Sequence, residues 1–301
     1  MALDDSRVMI GEMTRQRFGE TGLTRPRFRV DPVRIAAWAA LLGGSVVMLF
    51  PIFWLVTTSL KNKAQIFKFP PQWIPDPVRW QNYPNAWRAQ PFDRYAANTL
   101  IITVASIVGV MISSSLVAYA FARLRFPGRD VLFIFILSEL MLPQTVTLIP
   151  RYIEFRQFGW IDTWWPLIVP NYFGNAFFIF LLRQFFRTIP RDLSDAAKVD
   201  GASEFRIFWQ IILPLSRPVL TVVEIFTFLY NWNDYLEPLI YISSESKYTI
   251  SLGLASFLGE LTSEWGLLMA GSMLTIVPVI VLFFLLQRYF IRGVVLSGMK
   301  G

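Results

Sequence analysis

Four carboxylates lie inside runs that are otherwise almost wholly apolar: Glu139, Glu224, Asp234 and Glu237. An ionisable group at bilayer depth costs about 2.5–3.5 kcal/mol on insertion scales, so such groups turn toward protein or water. Gln144 follows Glu139 along the chain, and Asn231 and Asn233 stand beside Asp234 with Trp232 and Tyr235. Carboxylates and amides exchange hydrogen bonds with hydroxyls, and aromatic faces cover C–H surfaces. Glu139 and Glu224 are the deeper pair. Asp234 and Glu237 either share their role or stand near the outer end of the run, where exposure costs little. Cysteine and histidine are both absent, which removes thiolates, imidazole bases, disulfides and the common zinc sets. Carboxylates alone are a thin basis for a membrane enzyme.

A second stretch, DLSDAAKVDGASEF at 192–205, gathers four acids and a lysine around one glycine. Asp192 and Asp195 suit the positive start of a helix, and Ala196, Ala197 and Lys198 propagate it. Gly201 can take the left-handed conformation that ends it. Ser203 can cap a second helix with Glu204 in its first turn. There Phe205, Phe208, Trp209 and Ile212 recur at i, i+3, i+4 and i+7, one apolar face with no covering domain in this chain.

The elements that must position these residues are membrane spans. Of 301 residues, 54% are hydrophobic and 16% charged, against about 25% charged in a soluble domain. Six runs are long enough to cross a bilayer, which needs about 20 apolar residues: 35–60, 96–122, 131–150, 163–182, 218–242 and 265–287. Pro143, Gln144 and Thr145 break or bend the third. The class is all-α: a polytopic membrane protein of six transmembrane helices.

Lysine and arginine set the orientation. Nineteen of 28 fall in 1–34, 123–130, 183–217 and 288–301, and nine in 61–95, 151–162 and 243–264. Both termini therefore face the cytoplasm, and the net charge of +7 calls for no nucleic acid. The expected organisation is a basic cytoplasmic arm (1–34), a transmembrane domain (35–292) with a long inside loop (183–217), and a short tail (293–301). Between 69 and 95, six prolines interleave with Trp73, Trp80, Tyr83 and Trp87, which predicts a compact outer loop rather than a long helix.

The loop carries a resemblance. D-A-A-K-V-D-G-A followed by F-R-I-F-W-Q-I-I-L-P is similar to the E-A-A-x-x-D-G-A…LP loop of bacterial binding-protein-dependent ABC import permeases. LLRQFFRTIPRDL, FTFLYNWNDYLEPLI and the closing LLQRYFIRGVVLSGMKG fit the carbohydrate-uptake branch that includes MalG-like subunits. The resemblance covers 35–301 and departs at Asp195, where the family has glutamate. It implies a non-enzymatic multi-pass subunit of a bacterial cell membrane, paired with a MalF-like sister permease. It also implies a MalK-like ATPase dimer that binds ATP and magnesium, an extracytoplasmic solute-binding protein and a sugar cargo. In that family the loop docks into the ATPase, which gives Asp195, Ala196, Ala197, Asp200, Gly201, Ala202, Phe205 and Phe208 as coupling residues. Glu139, Gln144, Glu224, Asn231, Asn233 and Asp234 are then candidates for the sugar path. The residues separately exclude a P-loop here: none of the six lysines follows glycine, and phosphate cradling needs Gly-Lys-Ser/Thr. The rival reading is a proton-coupled secondary transporter titrating Glu139 and Glu224; such folds usually carry internal repeats, and none recurs here at a fixed period.

Overall fold

A computed structural model describes residues 32–258 and 264–298, with side chains to Gln287. The predicted basic arm lies outside the described residues up to position 31. Contacts divide the chain into two units, 1–52 and 53–301. The described part of the first is the larger part of α1 (Pro32–Ser59), 28 residues with Pro51 inside. At 1.5 Å per residue it exceeds a hydrocarbon core of about 30 Å.

In the second unit the α1 C-terminus leads into the compact outer segment expected there. Lys61 is buried with its ammonium 4.4 Å from the Trp54 ring centroid. Asn82 donates to the carbonyls of Ser59 and Lys61. The longer helix of this segment, α2 (Asn82–Ala89), has eight residues.

The central element is α3 (Phe92–Arg123), 32 residues long. Against it pack α6 (Ala176–Thr188) and α9 (Arg217–Asn233). Gly109 lets Tyr172 approach so closely that a Cβ would stand 2.6 Å from its ring. The third span is α4 (Arg129–Ser138), a 3-10 turn over Glu139–Met141, and α5 (Gln144–Gln157), bent by 99° at Pro143. The break expected at Pro143–Thr145 is there. The fourth and fifth spans, single apolar runs in the sequence, are both interrupted. Short turns at Trp165–Ile168 and Val169–Phe173 precede Gly174 (φ 95°), and α6 starts after it. Pro166 and Pro170 cannot donate to a helical ladder. Serines of α3 occupy the freed backbone groups: Ser106 donates to the Leu167 carbonyl (3.3 Å), Ser113 to that of Asn171 (3.0 Å), and Ser114 accepts from Asn175 N (3.1 Å). Irregular backbone at membrane depth persists only where protein or a cavity satisfies it. The fifth span stops at Asn233, passes an extended Asp234, and resumes as α10 (Leu236–Tyr241).

Two assigned boundaries move. α6 runs to Thr188, so Arg183 and Arg187, expected in the inside loop, sit on a helix. The last helix, α11 (Trp265–Gly298), contains the start of the tail expected from 293. Among the described residues four helices are long and apolar enough to cross a membrane, and six spans result if each bent pair is one.

Candidate functional site

The loop after α6 forms two short helices around Gly201, as its residues dictate. α7 (Asp192–Val199) carries Asp192 and Asp195 in its first turn and ends at Asp200. Gly201 has φ 81°. Its N–H donates to the Lys198 carbonyl (3.0 Å) and the Ala202 N–H to that of Ala197 (2.9 Å). These two bonds are the Schellman pattern, which requires a left-handed residue at this position. Ser203 then caps α8 (Glu204–Leu215), accepting from Arg206 N at 3.3 Å.

Two ties hold this loop to α3. Glu204 accepts from Lys198 Nζ and from the Tyr119 hydroxyl, each at 2.6 Å. The Lys198 contact first, and the Tyr119 hydroxyl after it, hold the Glu204 carboxyl below its ordinary pKa. One turn along α3, Arg123 Nη2 donates to the carbonyls of Phe186 (2.7 Å) and Ile189 (2.6 Å). The entry and exit of the loop are thus fastened to the same helix end.

The apolar face expected on α8 is divided. Ile207, Phe208 and Ile212 are buried in a core with Ala118, Tyr119, Leu182, Phe186 and Val223, and the Phe208 ring lies 5.2 Å from that of Tyr119. Phe208 is therefore corrected from a docking residue to an anchor. A π-turn over Phe208–Ile212 carries this inward edge, while Phe205 and Trp209, stacked at 6.5 Å, face out. Asp195, Ala196, Asp200 and Gly201 are exposed; Ala197 and Ala202 are half-buried against the core.

The span breaks converge on a cavity of about 720 Å³, within the range of small-molecule sites. Glu139, Gln144, Asn231 and Asp234 line it, as does Glu237, whose place the sequence left open. Gly174 and Asn175 line it too. Gln144 Nε2 donates to the Tyr230 hydroxyl (2.7 Å) and to Glu237 Oε1 (3.0 Å), and Arg151 lies 3.8 Å from the same oxygen. Asp234 Oδ1 accepts from Glu237 N (3.3 Å), which shapes the hinge between α9 and α10. Two candidates lie outside this lining. Glu224 is half-buried on α9 outside the lining, and Asn233 is exposed, bonded to the Leu229 carbonyl at 2.8 Å. Both precede the break at Asp234 and lie on α9 itself, so helix face rather than the break keeps them from the lining.

Sequence reasoning missed Arg151 and Tyr230. Arg151 falls with an outer loop when the third span is ended at Pro150; Tyr230 joins Gln144 in the cavity only once α5 turns. It also missed Asp162, held at φ 58°, which Asp tolerates better than most residues. Its carboxylate accepts from Ser243 N, Ser244 N, Ser244 Oγ and Lys247 Nζ. These bonds, led by the Ser244 hydroxyl, hold it far below the usual carboxylate range and join two outer loops.

Broken spans lining a polar cavity, with a two-helix loop at the opposite, cytoplasmic ends of α6 and α9, define a multi-spanning transport subunit. The profile described as "Binding-protein-dependent transport system inner membrane component" matches residues 114–296. The chain belongs to this family. It is similar to the probable ABC transporter permease protein YurM of Bacillus subtilis, 33% identical over 282 residues, 92% of each chain. It is 33% identical to the diacetylchitobiose uptake system permease NgcG of Streptomyces coelicolor, over 86% of each chain. A Yersinia pestis sn-glycerol-3-phosphate permease, UgpE, is 35% identical over 85% of this chain and 93% of its own. Among solved structures, a chain of a bacterial ABC transporter that imports the acidic polysaccharide alginate superposes with a TM-score of 0.77 at 25% identity, covering 87% of this chain and 98% of that one.

Proposed function

We propose that the chain is one of two permease subunits that move a sugar or oligosaccharide inward after delivery by an extracytoplasmic binding protein. The sister subunit is MalF-like, and the work comes from a MalK-like ATPase dimer that binds ATP and magnesium itself. This chain carries out no chemical step and holds no cofactor. The observation that carries the reading is the Gly201 loop: a projecting surface of acids, small residues and two stacked aromatics, tied at both flanks to α3. A partner gripping Asp195, Ala196, Asp200, Phe205 and Trp209 would move α3 through Glu204–Tyr119 and Arg123, and α3 packs directly on α6 and α9. The ends of these two helices line the cavity, where Gln144, Asn231, Asp234 and Glu237 offer donors and acceptors to hydroxyl groups. A sugar is favoured because amides and carboxylates stand beside aromatic faces, and because diacetylchitobiose uptake and alginate import occur among the relatives.

The test is reconstitution in proteoliposomes of this chain, its sister permease, the ATPase and the binding protein. Uptake of labelled sugar should require all four and ATP. Uptake by the two permeases alone, driven by a proton gradient, would overturn the reading and favour a secondary transporter.

A further inference from the structure

Where α3 passes into α4 a second cavity, of about 450 Å³, is lined by Arg125, Phe126, Gly128, Arg129, Asp130 and Val131. This turn lies in a segment that the lysine and arginine distribution assigns to the cytoplasmic side. Gly128, at φ 77°, precedes α4, whose first N–H groups receive no side-chain cap from it. Arg129 spends Nε on Asp130 (3.1 Å) and points Nη1 at the Leu124 carbonyl (3.5 Å), two contacts for a guanidinium with five donors.

Arg183 stands across the seam on α6. It is 8% exposed, donates Nε to the Phe121 carbonyl (3.3 Å) and lies 3.9 Å over the Phe133 ring of α4. A carbonyl and a ring solvate this cation without neutralising it. Arg187 and Arg129 are close enough to act on it electrostatically, and the acid that does so among the described residues, Asp130, is exposed and already shared with Arg129. A buried charge without compensation is costly, so the seam is short of negative charge. Beyond the pocket, α4 turns Val131, Leu132, Ile134 and Phe135 outward, all exposed, on a run that crosses the membrane.

We propose that this seam binds the phosphate headgroup of an anionic phospholipid of the cytoplasmic leaflet, with the acyl chains lying along the exposed face of α4. Guanidinium forks match phosphate oxygens in geometry and charge, and basic pockets between spans on the cytoplasmic side suit such headgroups. The general excess of arginine on that side accounts for the number of cations. It does not account for a guanidinium held inside the seam with no counter-ion among the described residues. The apolar wall continuous with the pocket favours lipid over free phosphate.

The test uses the assembled transporter in nanodiscs of phosphatidylcholine with phosphatidylglycerol, followed by gentle extraction and mass spectrometry of the retained lipid. Wild type should retain phosphatidylglycerol in preference to phosphatidylcholine. Arg125→Gln and Arg129→Gln should each weaken that preference, by roughly fivefold per arginine removed. Arg125→Lys and Arg129→Lys should keep part of it. Inorganic phosphate at high concentration should leave the lipid in place. Equal retention of the two lipids by wild type, or unchanged preference in the glutamine variants, would overturn the proposal. So would displacement of the lipid by inorganic phosphate, which would identify a free-anion site. Every readout is lipid retention, so the result stands apart from sugar uptake.

Discussion

Replacing Gly201 separates backbone strain from crowding. A Cβ at this position would meet no heavy atom within 4 Å, and the backbone sits at φ 81°. The cost of any side chain is therefore conformational. Alanine in the left-handed region costs about 1–2 kcal/mol, while asparagine visits it at less cost through its local hydrogen bonds. For a strained, β-branched valine the range extends to about 3 kcal/mol. At about 1.4 kcal/mol per tenfold, alanine should reduce the equilibrium constant for forming the turn roughly five- to thirtyfold, and valine up to about 150-fold. What opposes the loss is the pair of bonds to Lys198 and Ala197 carbonyls and the Lys198–Glu204 contact of 2.6 Å. The spans do not pass through this turn, so insertion and pairing with the sister permease should survive in all three variants. Recovery of the ATPase with the purified complex, and substrate-stimulated ATP hydrolysis, should fall in the order Asn, Ala, Val. Wild-type recovery and stimulation in Gly201→Val would refute both the conformational reasoning and the coupling role of the loop. A flat series, with Asn as damaging as Val, would show that something other than φ is at stake.

Tyr119→Phe removes one hydrogen bond to a carboxylate that keeps its lysine and is partly solvated, a loss of about 1 kcal/mol. ATPase recovery should persist in that variant while the ATP consumed per sugar moved rises severalfold, and an unchanged ratio would remove the tie to α3 from the mechanism. Glu139→Gln and Gln144→Ala should slow transport with assembly intact, whereas Glu224→Gln, outside the cavity lining, should transport as wild type; kinetics in proteoliposomes decide between them. Asp162 gives a pH expectation: its folded pKa is depressed, so its contribution is present above the unfolded value of about 4 and is lost as pH falls through the lower folded one. Hydrogen exchange at Ser243 and Ser244 should therefore stay slow at pH 5 in wild type and become fast at that pH in Asp162→Ala.

The range of the forces involved decides how much of this molecule is legible in its chain. The Gly201 loop is local physics: a helix start, a left-handed stop and a serine cap are specified within a dozen residues, and each stands where its residue type requires. The break at Pro143 is local too. The interruptions at Gly174 and Asp234 escape a hydropathy reading because it averages over a window. Pro166, Pro170 and Gly174 are apolar or neutral in that average, yet they remove donors or admit a positive φ. Their repair lies in Ser106, Ser113 and Ser114, some sixty residues upstream. Phe208 failed for a related reason. Periodicity identifies an apolar face without saying whether its own chain or a partner covers it, and here Tyr119 and its neighbours reach one edge first. The same long-range closure admitted Arg151 and Tyr230 to the cavity and left Glu224 outside. In a chain built for lipid, polarity marks which residues matter, but the span breaks decide which of them meet. The polar cavity is thus a product of three interruptions, and a change that straightened any one of them would dismantle it with every polar lining side chain still present. Pro170→Leu, which restores helical potential beside the Ser113–Asn171 contact, is the sharpest instance. It should impair sugar transport more than it impairs loop docking or ATPase recovery, and transport kinetics equal to wild type in that variant would show that the break is incidental to the path.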